Sequence, residues 1–188
     1  MEDDLSRFRV VLDACVLIPM SLSDTLLRAA DADLYRLLWS EDILDEVRRN
    51  LVENGLTDDQ RALSRVSQMR RTFPQASVTG YSGIVESMTN DPKDRHVLAA
   101  AVTAGAQVIV TSNLRDFPEH ALSPYNIEAQ SPDDFLLNLY GLAPGTLLVI
   151  LQEQVAALRY PPMSTDQFLE YLSLHAPAFV DLVRRNQH

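Results

Sequence analysis

Residues 8–13, with the sequence Phe-Arg-Val-Val-Leu-Asp, decide the fold class. Phe8 to Leu12 is a short run rich in apolar and β-branched residues, which is typical of a buried strand, and Asp13 follows it directly. In open sheets of parallel strands, ligands collect beyond the carboxyl ends of the strands. Asp13 is therefore the first candidate for a functional residue, although an aspartate at this point can also simply cap the following turn.

Strand-like and helix-like patterns alternate from this stretch to about residue 130. Further strands are predicted at residues 34–39, 78–81 and 108–111. Helices are predicted at residues 22–30, at 41–53 with Ser40 as N-cap, at 58–72 with a capping box of Thr57 and Gln60, and at 92–104 with Asp91 as N-cap. This order predicts an α/β fold whose mainly parallel sheet is covered by helices on both faces.

The pattern changes to helices alone from Pro132 onward. Four helices are predicted there, at residues 133–139, 145–158, 166–174 and 178–185. We therefore expect one α/β domain at residues 1–131 and a helical C-terminal extension at residues 132–188. The extension either packs as a cap on one face of the sheet or offers a surface for a partner or a homodimer.

Composition limits the kinds of function. The chain is 46% hydrophobic and 22% charged, as expected for a globular protein. Its apolar runs are far shorter than the roughly 20 residues of a membrane span. The segment Met1 to Ser6 is acidic, unlike a secretion signal. These features predict a cytoplasmic protein with no membrane partner.

Cysteine and histidine content limits the kinds of metal site. The single cysteine, Cys15, excludes an intramolecular disulfide and a thiolate zinc cluster. The four histidines are scattered without metal-ligand spacing and are interpreted as surface or cap residues; they are His96, His120, His175 and His188. A metal site in this chain would therefore use oxygen ligands.

The net charge of −10 argues at first against a nucleic-acid partner. However, 15 of the 16 basic residues are arginine, which forms forked contacts with phosphate. Arg61, Arg65 and Arg71 are predicted to form a basic stripe on the exposed face of the helix at 58–72, opposite Leu63, Val66 and Met69. This stripe would guide RNA or dock a protein partner, or it is only a solvated helix surface.

Two further acids stand out on predicted helices. Glu46 lies at the rim of the apolar stripe formed by Ile43, Leu44, Val47 and Leu51, so it borders the buried side of its helix. Asp94 lies on the same face as the apolar residues Val97, Leu98 and Ala101. Capping by Asp91 explains one acid at this helix start, but burying a second one is costly unless a cation or hydrogen bonds compensate.

A polar loop follows the predicted strand at 108–111. It contains Thr111, Ser112, Asn113 and Asp116, a composition that also fits a simple turn. Together, Asp13, Glu46, Asp94 and Asp116 are expected to meet at the carboxyl edge of the sheet. Because four such acids repel one another, we expect divalent cations, Mg²⁺ or Mn²⁺, to neutralise them.

These motifs resemble those of the PIN-domain family over roughly residues 8–130. The resemblance rests on four stretches: Val10-Val11-Leu12-Asp13, Ser40-x-x-Ile43-Leu44-x-Glu46, Asp91-x-x-Asp94-x-x-Val97-Leu98-x-x-Ala101 and Val110-Thr111-Ser112-Asn113-x-x-Asp116-Phe117. The helical tail resembles a longer subgroup with a C-terminal domain.

The resemblance implies a PIN-like three-layer fold and a Mg²⁺- or Mn²⁺-dependent endoribonuclease, a phosphodiester hydrolase of the kind found as VapC-type toxins of bacterial toxin–antitoxin pairs. It implies a catalytic quartet of Asp13, Glu46, Asp94 and Asp116, with Asp13, Asp94 and Asp116 as metal ligands. Thr111, Ser112, Asn113 and Asp91 would have secondary roles, Thr111 or Asn113 by holding a carboxylate, a water or the phosphate. Whether Asn113 or Asp116 completes the site stays open.

The implied partners are single-stranded or structured RNA and a cognate antitoxin protein. Two alternatives remain at this point. One is a non-catalytic PIN scaffold that binds RNA or protein, which fits the net charge. The other is a haloacid-dehalogenase-like phosphatase, which is disfavoured because Cys15 occupies the position where that family needs a second acid.

Overall fold

The computed structural model describes residues 8–159 and 162–186, so the expectations for Met1 to Ser6 and for His188 concern residues outside it. Within these residues, five strands form one sheet in the order β3-β2-β1-β4-β5, and every neighbouring pair is parallel. The strands are β1 (Arg9–Leu12), β2 (Arg36–Ser40), β3 (Ser77–Val78), β4 (Val108–Val110) and β5 (Glu128–Gln130). The predicted α/β fold with a parallel sheet is confirmed.

In the part of the chain that the structure describes, ten α-helices connect and extend the strands. In the first part of the chain they are α1 (Ala14–Leu17), α2 (Met20–Asp31), α3 (Glu41–Glu53), α4 (Asp59–Thr72), α5 (Arg95–Ala104) and α6 (Glu119–Leu122). After the sheet come α7 (Pro132–Leu142), α8 (Pro144–Ala157), α9 (Thr165–Ser173) and α10 (Pro177–Asn186). The predicted helical C-terminal segment is thus present in the structure.

The central strand β1 marks the point where the strand order reverses. Chain connections run from β1 outward through β2 to β3, and α5 then carries the chain back across the sheet to β4, on the other side of β1. Because such crossovers are right-handed, this reversal places α5 on the opposite face from α2. The carboxyl ends of β1 and β4 therefore lie at a topological switch point, where α/β folds bind ligands.

Helix starts follow their capping residues, with two corrections to the predictions. Ser40 caps α3 by accepting from the backbone N–H of Ile43, as predicted. The next helix is capped by Asp58, whose side chain accepts from Arg61 N–H, so the predicted capping box of Thr57 and Gln60 is wrong. Asp58 lies one residue after Thr57, and its carboxylate oxygen accepts the capping hydrogen bond that the prediction assigned to the Thr57 hydroxyl.

The N-terminus of α5 also differs from the prediction. Residues 92–94 form a turn, and the helix begins only at Arg95. Asp91 stabilises this turn by accepting from the backbone N–H of Lys93, at 3.0 Å, so it is not the N-cap of the helix. Asp94 takes the N-cap position but makes no side-chain capping hydrogen bond. Its carboxylate is therefore available for other contacts.

The C-terminal helices share apolar contacts with the α/β part. Phe135 of α7 is buried and packs edge-on against Tyr35, with ring centroids 5.1 Å apart, and against Phe8 at 6.3 Å. Helix α8 packs against α2, and the buried Gln154 accepts a hydrogen bond from Thr25. The helical segment thus covers part of the α/β core, as the capping interpretation requires.

Within the described ranges, no single helix has the length and apolar character that a membrane span needs; only α7 and α8 together pass, and they are bent by 119° relative to each other.

Candidate active site

Asp13 lies buried at the carboxyl end of β1, with 2% of its surface exposed. Its Oδ1 accepts from Ala14 N–H at 2.7 Å, and its Oδ2 accepts from the Thr111 hydroxyl at 2.7 Å. Burial raises the pKa of Asp13, these hydrogen bonds oppose that shift, and the charge of Glu46 adds to it. The carboxylate is therefore held in one orientation by contacts from Ala14, at the start of α1, and from Thr111, which follows β4.

Cys15 joins the same network. Its Sγ lies 3.2 Å from Asp13 Oδ2 and accepts from Ser112 N–H at 3.2 Å. Burial and the nearby Asp13 charge raise the pKa of this thiol to about 12. The thiol is therefore protonated at neutral pH and donates to Asp13, so Cys15 links α1 to the loop that follows β4.

Glu46 lies half-buried on α3 and faces His96 of α5. Glu46 Oε2 is 3.5 Å from His96 Nε2, and the histidine side chain is only 18% exposed. Burial alone would lower the pKa of His96, but the hydrogen bond and charge of Glu46 raise it overall. The interpretation of His96 as a surface or cap residue is therefore wrong, because Glu46 binds it beside the candidate site.

Asp94 is half-buried and lies near several other acids. Burial raises its pKa to about 6, and the charges of Asp13, Asp116, Glu46 and Asp91, in that order, add to the shift. Because this influence depends on proximity, acids from β1, α3, α5 and the loop after β4 all act on one point. The structure thus brings the four predicted carboxylates to the same edge of the sheet.

The loop after β4 contributes Asp116 and Asn113. Asp116 is half-buried at the end of a 3-10 turn, Leu114–Asp116, and its backbone oxygen accepts from Asp91 N–H. Asn113 is exposed, and its N–H donates to the Thr111 hydroxyl at 3.0 Å. Thr111 therefore holds Asp13 and orders this loop. Ser112 contributes its backbone N–H, which donates to Cys15. Asn113 and Asp116 both line the groove that is described next.

A groove of about 1090 Å³ is lined by three of these four acids, Glu46, Asp94 and Asp116, whereas Asp13 is not among its lining residues. One wall is α3, and the other is formed by the start of α5 and the loop after β4. The lining residues are Asp42, Asp45, Glu46, Arg48, Arg49, Asn50, Val52, Glu53, Asp59, Lys93, Asp94, His96, Asn113 and Asp116. Its size exceeds what a single phosphate group needs, so a longer segment of a polymer can enter.

The donor set fits a hard divalent cation in its chemistry. The groups that converge are carboxylate oxygens, which Mg²⁺ and Mn²⁺ prefer. Burial is the main cause that raises the pKa of Asp13 and of Asp94, and the charges of neighbouring acids add to it. In the part of the chain that the structure describes, no three acidic, histidine or cysteine side chains are close enough to hold one ion. Ion binding would therefore require the side chains to draw closer together.

Asp94→Asn is expected to stabilise the metal-free protein, because burial and, in addition, the nearby acids make ionisation of Asp94 costly. The folded pKa of about 6 lies above the ordinary 3.8, so the cost of ionising Asp94 is absent below about pH 4 and complete above about pH 6. In EDTA at pH 8 we expect the variant to be about 1 kcal/mol more stable than the parent, after allowance for solvent screening. The difference should vanish near pH 4.

Thermal melting at both pH values measures this difference. Asp45→Asn, which changes an exposed acid on α3, is the matched control and should leave stability nearly unchanged. A less stable Asp94→Asn protein at pH 8 would contradict the prediction, because it would mean that Asp94 mainly supports the start of α5.

The predicted basic stripe on α4 is corrected by the structure. Arg65 donates to the backbone oxygens of Leu17 and Ile18, so it is a partly buried structural contact with the end of α1. Burial lowers its pKa. Arg61 is exposed and pairs with Asp58, and Arg71 binds Gln68.

The buried face of α4 also differs from the prediction. It is formed by Ala62, Val66 and Met69, whereas Leu63 is 43% exposed. The helix is therefore rotated relative to the predicted stripe, which turns Arg65 inward.

A PIN domain family model matches residues 9–115, which is more than half of the chain. The chain belongs to the PIN-domain family. A second model, the VapC50 C-terminal domain, matches residues 132–185 of this PIN-domain protein. No solved structure gave a significant match.

One curated relative is a Mycobacterium tuberculosis protein named "Putative ribonuclease VapC50". It is 43% identical over 106 residues, which is 56% of this chain and 63% of the relative. The predicted resemblance to the PIN family and to its longer VapC-type subgroup is thus confirmed. Membership of this family also removes the basis for the haloacid-dehalogenase-like alternative.

Proposed function

We propose that this PIN-domain protein is a metal-dependent endoribonuclease that acts as the toxin of a bacterial toxin–antitoxin pair. The observation that carries the proposal is the position of Asp94 near Asp13, Asp116 and Glu46, whose charges add to the burial that raises its pKa. Partial identity to a relative named as a ribonuclease supports the same activity. The match covers 63% of that relative, so the activity of the whole protein is inferred from the site.

Asp13, Asp94 and Asp116 are the residues proposed to hold Mg²⁺ or Mn²⁺. When bound, such an ion supplies the positive charge that activates water and stabilises the phosphoryl group during hydrolysis. Asn113 lines the same groove as Asp116 and is the alternative metal ligand from the loop after β4. Asp116 is preferred, because its negative charge acts on Asp94.

The protein's own residues orient and prepare this site. Thr111, Ala14 and Cys15 hold the buried Asp13 carboxylate in one orientation behind the groove-lining acids. Glu46 is held towards the site by His96. Such fixed orientation lowers the cost of arranging charged groups around a reacting phosphate.

Cleavage of labelled single-stranded RNA in the presence of Mn²⁺ or Mg²⁺ tests the proposal. We expect shortened products with either ion and none after EDTA is added. Ca²⁺ should support cleavage poorly, since it favours larger and more irregular coordination. Cleavage that persists in EDTA would refute the metal-dependent mechanism.

A non-catalytic PIN scaffold is the second candidate, and the net charge of −10 favours it. RNA or protein binding without any cleavage in the presence of Mn²⁺ would support the scaffold over the nuclease. The two candidates are therefore separated by one assay in which binding and cleavage are measured on the same RNA.

The proposed partners are RNA and an antitoxin protein, and the proposed setting is the cytoplasm. We also propose that residues 1–131 form the nuclease domain and that residues 132–188 form a helical domain appended to it. Exposed apolar side chains on the helical segment, including Leu142 and Leu174, offer a surface for a protein partner or a second copy of the chain.

A further inference from the structure

The groove contains more than its acids, because three basic residues also line it. Arg48 and Arg49 lie on the α3 wall, and Lys93 lies on the opposite wall, directly before Asp94. Lys93 is the single lysine of the chain. The positive charge of this groove is therefore confined to a few side chains between its acids and does not form a broad basic surface.

The three basic residues differ in what they already bind. Arg48 makes a forked pair with Asp59, with distances of 2.8 and 2.7 Å, and is therefore committed to the protein. Arg49 and Lys93 are exposed, and neither side chain makes an ion pair or hydrogen bond with any residue in the described ranges. These two cations are available for a ligand.

Their positions relate directly to the carboxylates. Arg49 follows Glu46 by three residues on α3, which places the two on neighbouring positions of one helix face. Lys93 precedes Asp94 in the turn before α5. One free cation therefore flanks the acidic centre on each wall of the groove.

We propose that Arg49 and Lys93 bind backbone phosphates of a single RNA strand on the two sides of the phosphate that is cut. This inference rests on the proposed function and names the path of its substrate. Double-stranded RNA would need a basic protein surface long enough to span successive grooves of the RNA helix, whereas Arg49 and Lys93 lie within a single groove of the protein. The α4 arginines are not required, since Arg65 is used structurally and Arg61 and Arg71 lie outside the groove.

The lining also indicates how the strand is recognised. Among the described residues that line the groove, His96 is the only one with a ring, and it is bound to Glu46. Stacking of bases on aromatic side chains therefore contributes little here. Binding within the groove should depend on phosphate contacts, with strong dependence on salt and weak dependence on sequence.

The test measures the affinity of a fluorescein-labelled single-stranded RNA for the full chain over a series of salt concentrations, with Mg²⁺ present. The measurement uses the Asp94→Asn background to keep the strand intact. Arg49→Gln and Lys93→Gln should each weaken binding roughly fivefold at about 0.1 M salt and reduce the salt slope by about 0.7. Arg49→Lys and Lys93→Arg, which retain the charge, should restore most of the affinity.

Arg61→Gln and Arg71→Gln are matched controls, because each removes one positive charge from an exposed position outside the groove. They should leave the salt slope unchanged. The proposal would be overturned if the groove variants and the controls lost RNA affinity equally, or if the groove variants lost none. It would also be overturned if only one of Arg49→Gln and Lys93→Gln weakened RNA binding. Cleavage by the parent chain in Mn²⁺ is measured in parallel: if it is absent, the proposed nuclease function fails, whatever the binding variants show.

Discussion

Replacing Asp94 by asparagine is expected to reduce RNA cleavage by about 10²-fold or more while the fold is retained. The substitution keeps the size of the side chain but removes the carboxylate on which the charges of Asp13, Glu46 and Asp116 all act. A neutral amide is a poor ligand for Mg²⁺ or Mn²⁺, so the charge stabilisation supplied to the phosphoryl group is lost. We expect kcat to fall with little change in KM, since the phosphate-binding cations remain.

Asp58→Asn is the control for this experiment. It makes the same chemical change at the N-cap of α4, outside the groove, and asparagine caps helices about as well as aspartate. Its activity should equal that of the parent chain. Circular dichroism checks that both variants are folded, and a folded Asp94→Asn protein with parental activity would exclude Asp94 from the catalytic centre.

The largest loss of stability is expected from Phe135→Ala. Phe135 is 1% exposed and packs edge-on against Tyr35 and Phe8, so its removal leaves a cavity between α7 and the α/β core. Such truncations cost about 3–5 kcal/mol, a large part of the stability of an ordinary domain. Urea unfolding followed by circular dichroism measures the change.

Tyr171→Ala in α9 is the matched control, because this aromatic residue of the same helical segment is 56% exposed. We expect it to cost about 1 kcal/mol or less. If Phe135→Ala instead produced a separate early transition confined to the helices, the C-terminal segment would be an independently folding unit with no shared core.

Local patterns predicted the main elements of the fold because the relevant signals are short in range. Helix α3 was predicted with its observed bounds, since Ser40 caps it and Ile43, Leu44 and Val47 mark its buried face. The strand β5 was missed, because its residues Glu128, Ala129 and Gln130 are partly exposed and lack the apolar pattern of a buried strand. Pairing with β4, which is a tertiary contact, is what holds that segment extended.

The acidic centre was predictable from the ends of strands and from one helix face, but its supporting contacts were not. The hydrogen bond from Cys15 to Asp13 depends on the geometry of α1, although its position two residues after Asp13 was a usable sign. His96 lies two residues after Asp94, yet its pairing with Glu46 requires α3 and α5 to meet. The same limit explains Arg65, whose carbonyl partners on α1 are 47 and 48 residues away in sequence.

The two edges of the sheet limit how this protein can associate with others. The edge strands β3 and β5 contain two and three residues, so each presents few backbone groups to another chain. Short edges of this kind hinder both strand addition by a partner and edge-to-edge aggregation. Assembly of this protein is thus directed to side-chain surfaces on its helices, where specificity comes from shape and charge rather than from main-chain pairing.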